Sequence, residues 1–313
     1  MNIVPIAFAF DNNLVIPACV AISSLLMNAK TDTYYDIFIL HSSKEGLNKD
    51  ELNKLPQYFE RCKVTYREVG DIFDSAFEIR GITTPAYYRL LIPELIPEYN
   101  KVIYADADII FRQDLSDLYQ LDMSDNYLAA TYDVGMNLGN DGKSYINSVS
   151  ELQQGEYIQS GFIMLNNKAI NADHIVPLFK EQAKRNLKFQ DQDILNIVCR
   201  NKKIILPWKY NMTDYSFYYI FKEPQLLTEK YANSDMEEAI NCGNLHFNGH
   251  KPWKKYSINF DIWWEYYRKS PFFNQQFYFD YYYNKLNELD QLSLLKRIKI
   301  LLRYFVYGQT NKK

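Results

Sequence analysis

The stretch Lys101-Val-Ile-Tyr-Ala-Asp-Ala-Asp-Ile-Ile110 constrains the fold more than any other part of the chain. Val102 to Ala105 are four apolar residues in a row, the pattern of a short strand buried on both faces. Two carboxylates, Asp106 and Asp108, follow where that strand runs out. Strands buried on both faces belong to sheets covered by helices, and open α/β sheets bind ligands at the carboxyl ends of their strands. Two acids one residue apart at such an end can hold a hard divalent cation, which prefers oxygen ligands. That ion can neutralise a diphosphate. The spacing points to a metal–nucleotide site, with a solvated aspartate turn as the plain alternative.

A second Asp-x-Asp, Asp191-Gln-Asp193, opens the helical pattern Ile194-Leu-Asn-Ile-Val198. Residues two apart on a helix point to nearly opposite sides, so these acids are not expected to share one ion.

The surrounding pattern supports a layered α/β domain. Residues 2–10, 35–40 and 62–69 read as strands. A helical pattern opens at Pro17, a second spans Leu47 to Phe59 with an interruption near Pro56, and a third spans Tyr87 to Leu95. Alternating β and α with short connections implies a mainly parallel sheet covered on both faces. Farther along, Tyr127–Tyr132, Ile158–Asn166 and Ile204–Leu206 read as strands. Residues 134–156, rich in Gly, Asn and Ser, read as a loop able to cover a site.

Composition removes some function classes. A formal net charge of −3 leaves no global electrostatic case for nucleic-acid binding. Cys19, Cys62, Cys199 and Cys242 are scattered, with no Cys-x-x-Cys pair, as expected of buried thiols in a reducing compartment. The apolar start Met1 to Phe10 lacks a basic leader and runs into Asp11, so it reads as the first strand. No run approaches the ~20 apolar residues of a membrane span. These features describe a soluble cytoplasmic protein, or one peripheral to the inner face of the membrane.

After about residue 257 the character changes to crowded aromatics, giving an expected division into a domain at 1–256 and a helical extension at 257–313. Residues 291–313 carry six basic residues and no acidic one. Leu294, Leu295, Ile298, Leu301, Leu302 and Phe305 follow helical spacing, with Lys296, Lys299 and Arg303 on another face. A basic amphipathic helix can lie on an anionic membrane, and it can also dock on its own domain.

The second informative motif is His246-Phe-Asn-Gly249-His-Lys251-Pro-Trp253. The histidine offers nitrogen to a borderline cation such as Mn²⁺. Gly249 lets backbone approach a ligand closely. Lys251 supplies a point charge suited to phosphate.

Phe8-Ala-Phe-Asp11-Asn-Asn13, Tyr87-Tyr-Arg89-Leu-Leu-Ile-Pro, Tyr104-Ala-Asp-Ala-Asp108, Gln159-Ser-Gly161, Asp191-Gln-Asp-Ile-Leu-Asn196 and the His246 motif occur in this order. Together, over roughly residues 3–255, they resemble the family 8 glycosyltransferases, which include glycogenin and bacterial lipopolysaccharide galactosyl- and glucosyltransferases. The resemblance implies a GT-A fold, a UDP-glucose or UDP-galactose donor, a glycan, glycolipid or glycoprotein acceptor, and retention of anomeric configuration. It implies that Asp106, Asp108 and His246 hold Mn²⁺, with Mg²⁺ as the alternative. Asp11 would accept the uracil N3–H, with Ala9 and Asn13 lining the same pocket. Arg89 would anchor the donor, and Lys251 with Gly249 the phosphates. Asp133, Gln159, Asp191 and Gln192 would surround the transferred hexose, the last two as catalytic residues. Two positions depart from the family pattern: Leu14 replaces a frequent tyrosine against the uracil, and Gln159 a frequent asparagine.

Two rival readings start from the same residues. An aspartate-nucleophile phosphohydrolase also uses Asp-x-Asp, but near its N-terminus. A non-catalytic sugar-nucleotide-binding protein would keep the fold, yet the intact ligand set at Asp106, Asp108 and His246 argues against it.

Overall fold

The apolar runs of the first hundred residues form four strands: β1 Asn2–Ala9, β2 Thr33–Ser42, β3 Cys62–Val69 and β4 Val102–Ala105. β5 (Ile109–Ile110), β6 (Leu128–Tyr132), β7 (Ile158–Leu165), β8 (Lys203–Ile205), β9 (Met212–Thr213) and β10 (Leu245–His246) complete the set. The computed structural model describes residues 2–74, 76–78, 84–228, 232–286 and 292–307. Seven strands form one sheet in the order β3-β2-β1-β4-β7-β6-β8. β1 pairs in parallel with β2 and β4, β2 with β3, and β6 with β8, while β7 runs antiparallel to both neighbours. The sheet is mainly parallel, as the α/β pattern requires. Helices cover it because β1, β4 and β7 are apolar on both faces: one cluster joins Ile6, Phe8, Ile103 and Phe162, the other Ala7, Tyr104, Ile163 and Leu165. Full burial of each large side chain stabilises the fold by roughly 1.5–3 kcal/mol.

The reversal at β7 positions the site. Ala105 pairs with Phe162, and the next backbone step, Asp106 N–H to Gly161 O at 2.8 Å, ties the first aspartate to Gly161. A small second sheet has the order β5-β10-β9, and its strand β5 follows β4 in the chain. In it His246 pairs with Ile109 on one side and Thr213 on the other. Register thus carries His246 to the neighbourhood of Asp108, far away in sequence.

Three helix expectations need correction. Residues 134–156 are not a plain loop: Val134–Leu138 and Asn140–Ser148 are helices. The Asp133 side chain caps the first by accepting Met136 N–H, and Met136, Ile146, Leu152 and Tyr157 form a small buried cluster. Polar composition concealed this anchoring. The stretch Tyr87 to Leu95 is a 3₁₀ segment, Thr84–Leu91, followed by one α-turn, Ile92–Leu95. Pro93 has no N–H to continue the preceding turns. Within Leu47 to Phe59 only Leu52–Lys54 (3₁₀) and Leu55–Tyr58 (α) are helical.

The chain divides into two compact units, Met1–Phe272 and Phe273–Lys313. The first includes the helix Phe260–Lys269, the second the helices Gln275–Leu286 and Leu294–Tyr307. Positions 291 and 308–313 of the basic segment lie outside the described residues. No helix among the described residues is long and apolar enough to cross a membrane.

Candidate active site

Asp106, Asp108 and His246 converge at the carboxyl end of β4. One ligand atom from each lies within 4.8 Å of the others. His246 Nε2 stands 3.6 Å from Asp106 Oδ2 and 3.3 Å from Asp108 Oδ1. The buried Asp108 Oδ1 accepts no hydrogen bond among the described residues. Leaving such an oxygen unpaired is costly, and a cation would satisfy it. Two carboxylates and an imidazole form the mixed O/N donor set suited to a borderline divalent ion. The residues present therefore fit a metal.

Burial pushes the Asp108 carboxyl up, but Lys251 and His246 more than offset it and hold it well below the usual carboxylate range. Lys251 Nζ meets Asp108 Oδ2 and donates to Phe247 O at 2.7 Å. The loop behind it is fixed by tryptophan: Trp264 Nε1 donates to Pro252 O at 3.2 Å, and the Trp253 and Trp263 ring centroids lie 5.1 Å apart.

Gly161 lies directly against two of these ligands. A Cβ there would fall 2.3 Å from His246 Cε1 and 2.6 Å from Asp106 Oδ2. Only glycine lets the β7 backbone lie this close to both ligands.

Arg89 forms the second part. Its Nη2 donates to Asp106 Oδ1 at 2.9 Å, and its Nε lies 3.2 Å from Asp191 Oδ2. Ala86 O at 2.8 Å and Ser160 O at 2.7 Å hold the guanidinium from behind. Burial alone would lower its pKa; Asp106 and Asp191 outweigh burial and raise it, so Arg89 stays charged. Tyr104 adds a hydrogen bond to Asp106 Oδ1 at 2.8 Å. Gln192 accepts from Ser160 N–H at 3.0 Å and donates to Asp133 Oδ2 at 3.0 Å. Burial raises the pKa of Asp133.

These groups line one cleft of about 800 Å³. Of the residues singled out in the sequence, Arg89, Asp106, Asp108, Asp133, Gln159, Asp191, Gln192, His246 and Lys251 face it. Gly135, Met136 and Asn140 from the two short helices also line it, so the 134–156 segment does border the cleft. Ala9, Asp11, Asn13 and Gly249 do not line it. Ala9 ends β1 beside β4, and Asp11 accepts the Asn13 N–H at 2.9 Å. Gly249 makes its close approach to Asp214, whose Oδ2 lies 2.8 Å from where a Cβ would stand. The two acids of the second Asp-x-Asp part company as the helix requires. Asp191 faces Arg89, and Asp193 accepts from Tyr157 at 2.5 Å and Tyr145 at 2.6 Å.

Sequence reasoning missed Tyr104 and Ser160 as supporting groups, and took Gly161 only as part of a motif. Tyr104 lies inside the strand pattern, where it reads as core.

Residues 5–257 match the model for glycosyl transferase family 8. The chain belongs to this family. Among its relatives, general stress protein A of Bacillus subtilis (strain 168) is 26% identical over 239 residues, covering 74% of this chain and 80% of that protein. A lipopolysaccharide 1,2-glucosyltransferase of Escherichia coli is 26% identical over 258 residues, covering 79% and 72%. Among solved structures, the galactosyltransferase LgtC in complex with donor and acceptor sugar analogues superposes with a TM-score of 0.69 at 23% identity, over 87% of this chain and 98% of that one. That likeness establishes the GT-A-like fold. Family membership makes the chain a glycosyltransferase and removes the phosphohydrolase reading.

Proposed function

We propose that this family 8 enzyme is a retaining hexosyltransferase, moving galactose or glucose from a UDP-sugar to a hydroxyl of a surface-glycan or glycoconjugate acceptor. The observation that carries the reading is the convergence of Asp106, Asp108 and His246 beside Lys251 in the cleft. Its similarity to a lipopolysaccharide glucosyltransferase supports the acceptor class.

Asp106, Asp108 and His246 would hold Mn²⁺, and the imidazole favours it over Mg²⁺, which prefers oxygen alone. When bound, the ion offsets negative charge on the departing diphosphate. Lys251 adds positive charge beside the diphosphate. Arg89 anchors the donor while keeping Asp106 in place. Asp11, Ala9 and Asn13 bind the uracil, and Gly249 admits the phosphates.

Asp133, Gln159, Asp191 and Gln192 surround the hexose, since carboxylates and amides hydrogen-bond sugar hydroxyls. Gln192 is an amide and a poor nucleophile. The acceptor hydroxyl therefore attacks from the face that UDP leaves, and a leaving phosphate oxygen takes its proton. Configuration is retained without a covalent intermediate. A cytoplasmic enzyme touching the inner membrane face through residues 291–313 fits a lipid-linked acceptor.

The test is a panel of UDP-sugars with Mn²⁺, read by UDP release. UDP-glucose or UDP-galactose should be turned over; silence across both hexoses, with and without sugar acceptors, would sink the reading.

A further inference from the structure

The small strand β9 is preceded by Asn211, a polar residue only 1% exposed. Its surroundings fix the direction of every hydrogen bond it makes. The Gly161 backbone N–H can only donate. It donates to Gln159 Oε1 at 2.6 Å, so that atom is the amide oxygen. The same oxygen lies 2.6 Å from Asn211 Nδ2, which must therefore be the NH₂ group. Asn211 Oδ1 is then the atom 2.9 Å from His246 Nδ1. An oxygen there can only accept, so Nδ1 carries the proton. In the neutral ring His246 Nε2 is then left with a lone pair, aimed between Asp106 Oδ2 at 3.6 Å and Asp108 Oδ1 at 3.3 Å.

The opposite arrangement would be the natural one without Asn211. Two carboxylate oxygens attract a proton to Nε2, and that proton would occupy the direction a cation needs. Metal-binding histidines are commonly oriented by an acceptor at the other ring nitrogen.

We infer that Asn211 is a positioning residue: it holds His246 in the Nδ1–H tautomer, so that Nε2 is presented together with Asp106 and Asp108 to a divalent cation. The inference rests on the metal reading proposed above. It also assigns Gln159. Its oxygen takes two internal hydrogen bonds, so it offers the cleft N–H donors.

The experiment uses the full chain, stripped of metal, with Mn²⁺ alone as probe. Long-range ¹⁵N–¹H spectra of the histidine-labelled wild type report the tautomer, with His246 assigned by loss of its signals in His246→Gln. At a pH where the ring is neutral, a proton on Nδ1 is expected; a neutral ring protonated on Nε2 overturns the inference, whatever any variant does. Calorimetry then compares wild type with Asn211→Leu and Asn211→Asp. The leucine variant should bind Mn²⁺ roughly 10- to 100-fold more weakly and shift the proton to Nε2. The aspartate variant keeps an acceptor oxygen and should recover most of the affinity. Equal Mn²⁺ affinity in wild type and the leucine variant overturns the inference and leaves the metal site standing. No Mn²⁺ binding by wild type removes the metal reading itself.

Discussion

Arg89 Nε lies 3.2 Å from Asp191 Oδ2, with the two side chains only 5% and 6% exposed. The same guanidinium also serves Asp106, at 2.9 Å. One positive charge thus faces two carboxylates, Asp191 buried and Asp106 about a quarter exposed. Asp191 bears the shortfall: burial raises its pKa, Arg89 opposes this, Asp106 repels the charge further, and it is pushed up to about 6.

A pH dependence follows for the metal-free protein. A carboxyl raised in the folded state contributes stability that is complete below its unfolded pKa. That contribution is lost as pH rises through the folded value. Asp191→Asn mimics the protonated form and removes the titration. The stability of wild type relative to this variant should fall by roughly 2 kcal/mol between about pH 4 and pH 7, measured by urea unfolding in EDTA. A difference that stays level over that range contradicts the placement of Asp191.

Gly161→Ala tests the close approach of the β7 backbone to the ligands. The new methyl would stand 2.3 Å from His246 Cε1 and 2.6 Å from Asp106 Oδ2, so the ligands or the strand must move. Mn²⁺ affinity by calorimetry should drop at least about 10-fold, and stability by roughly 1–3 kcal/mol as overpacking. Wild-type affinity in this variant would mean that the close approach is irrelevant to the metal.

The uracil contact proposed for Asp11 predicts a base preference. Its carboxylate only accepts hydrogen bonds, uracil donates at N3, and cytosine presents an acceptor there. UDP should bind more tightly than CDP in the presence of Mn²⁺, and Asp11→Ala should narrow the gap. Equal affinities in the wild type count against the assignment.

The basic tail makes a separate claim. Each basic residue near an anionic surface contributes ~1 kcal/mol, and the attraction weakens with salt. Ending the chain after Asp290 should reduce binding to phosphatidylserine liposomes at low salt and leave UDP-sugar hydrolysis largely intact. A full-length protein that ignores such liposomes refutes the membrane contact.

The parts of the site carried by a contiguous pattern were legible in the sequence. Val102 to Ala105 is apolar because the strand is buried on both faces, so the end at Asp106 could be placed. His246 could be named from its loop motif. Its arrival at Asp108 could not, because that depends on the pairing of β10 with β5. Asn211 gave no signal: its importance lies in one oxygen facing His246 and one amino group facing Gln159, residues from two other segments. The 134–156 segment was misread because its helices are held by one Asp133 cap and a four-residue cluster, too little to mark a polar stretch as helical. Asp11 and Arg89 became candidates only through resemblance to a family.

The central claim is that the Asp106–Asp108–His246 cluster holds the ion on which sugar transfer depends. The direct measurement is UDP release from UDP-glucose and UDP-galactose by the full chain, in EDTA and after Mn²⁺ is restored, alongside Asp108→Asn. Turnover with Mn²⁺, loss in EDTA, recovery on adding Mn²⁺ back, and near-abolition in the folded variant, whose neutral amide is a poorer ligand, are expected. Full turnover in EDTA, or an Asp108→Asn enzyme as active as wild type, would contradict the claim.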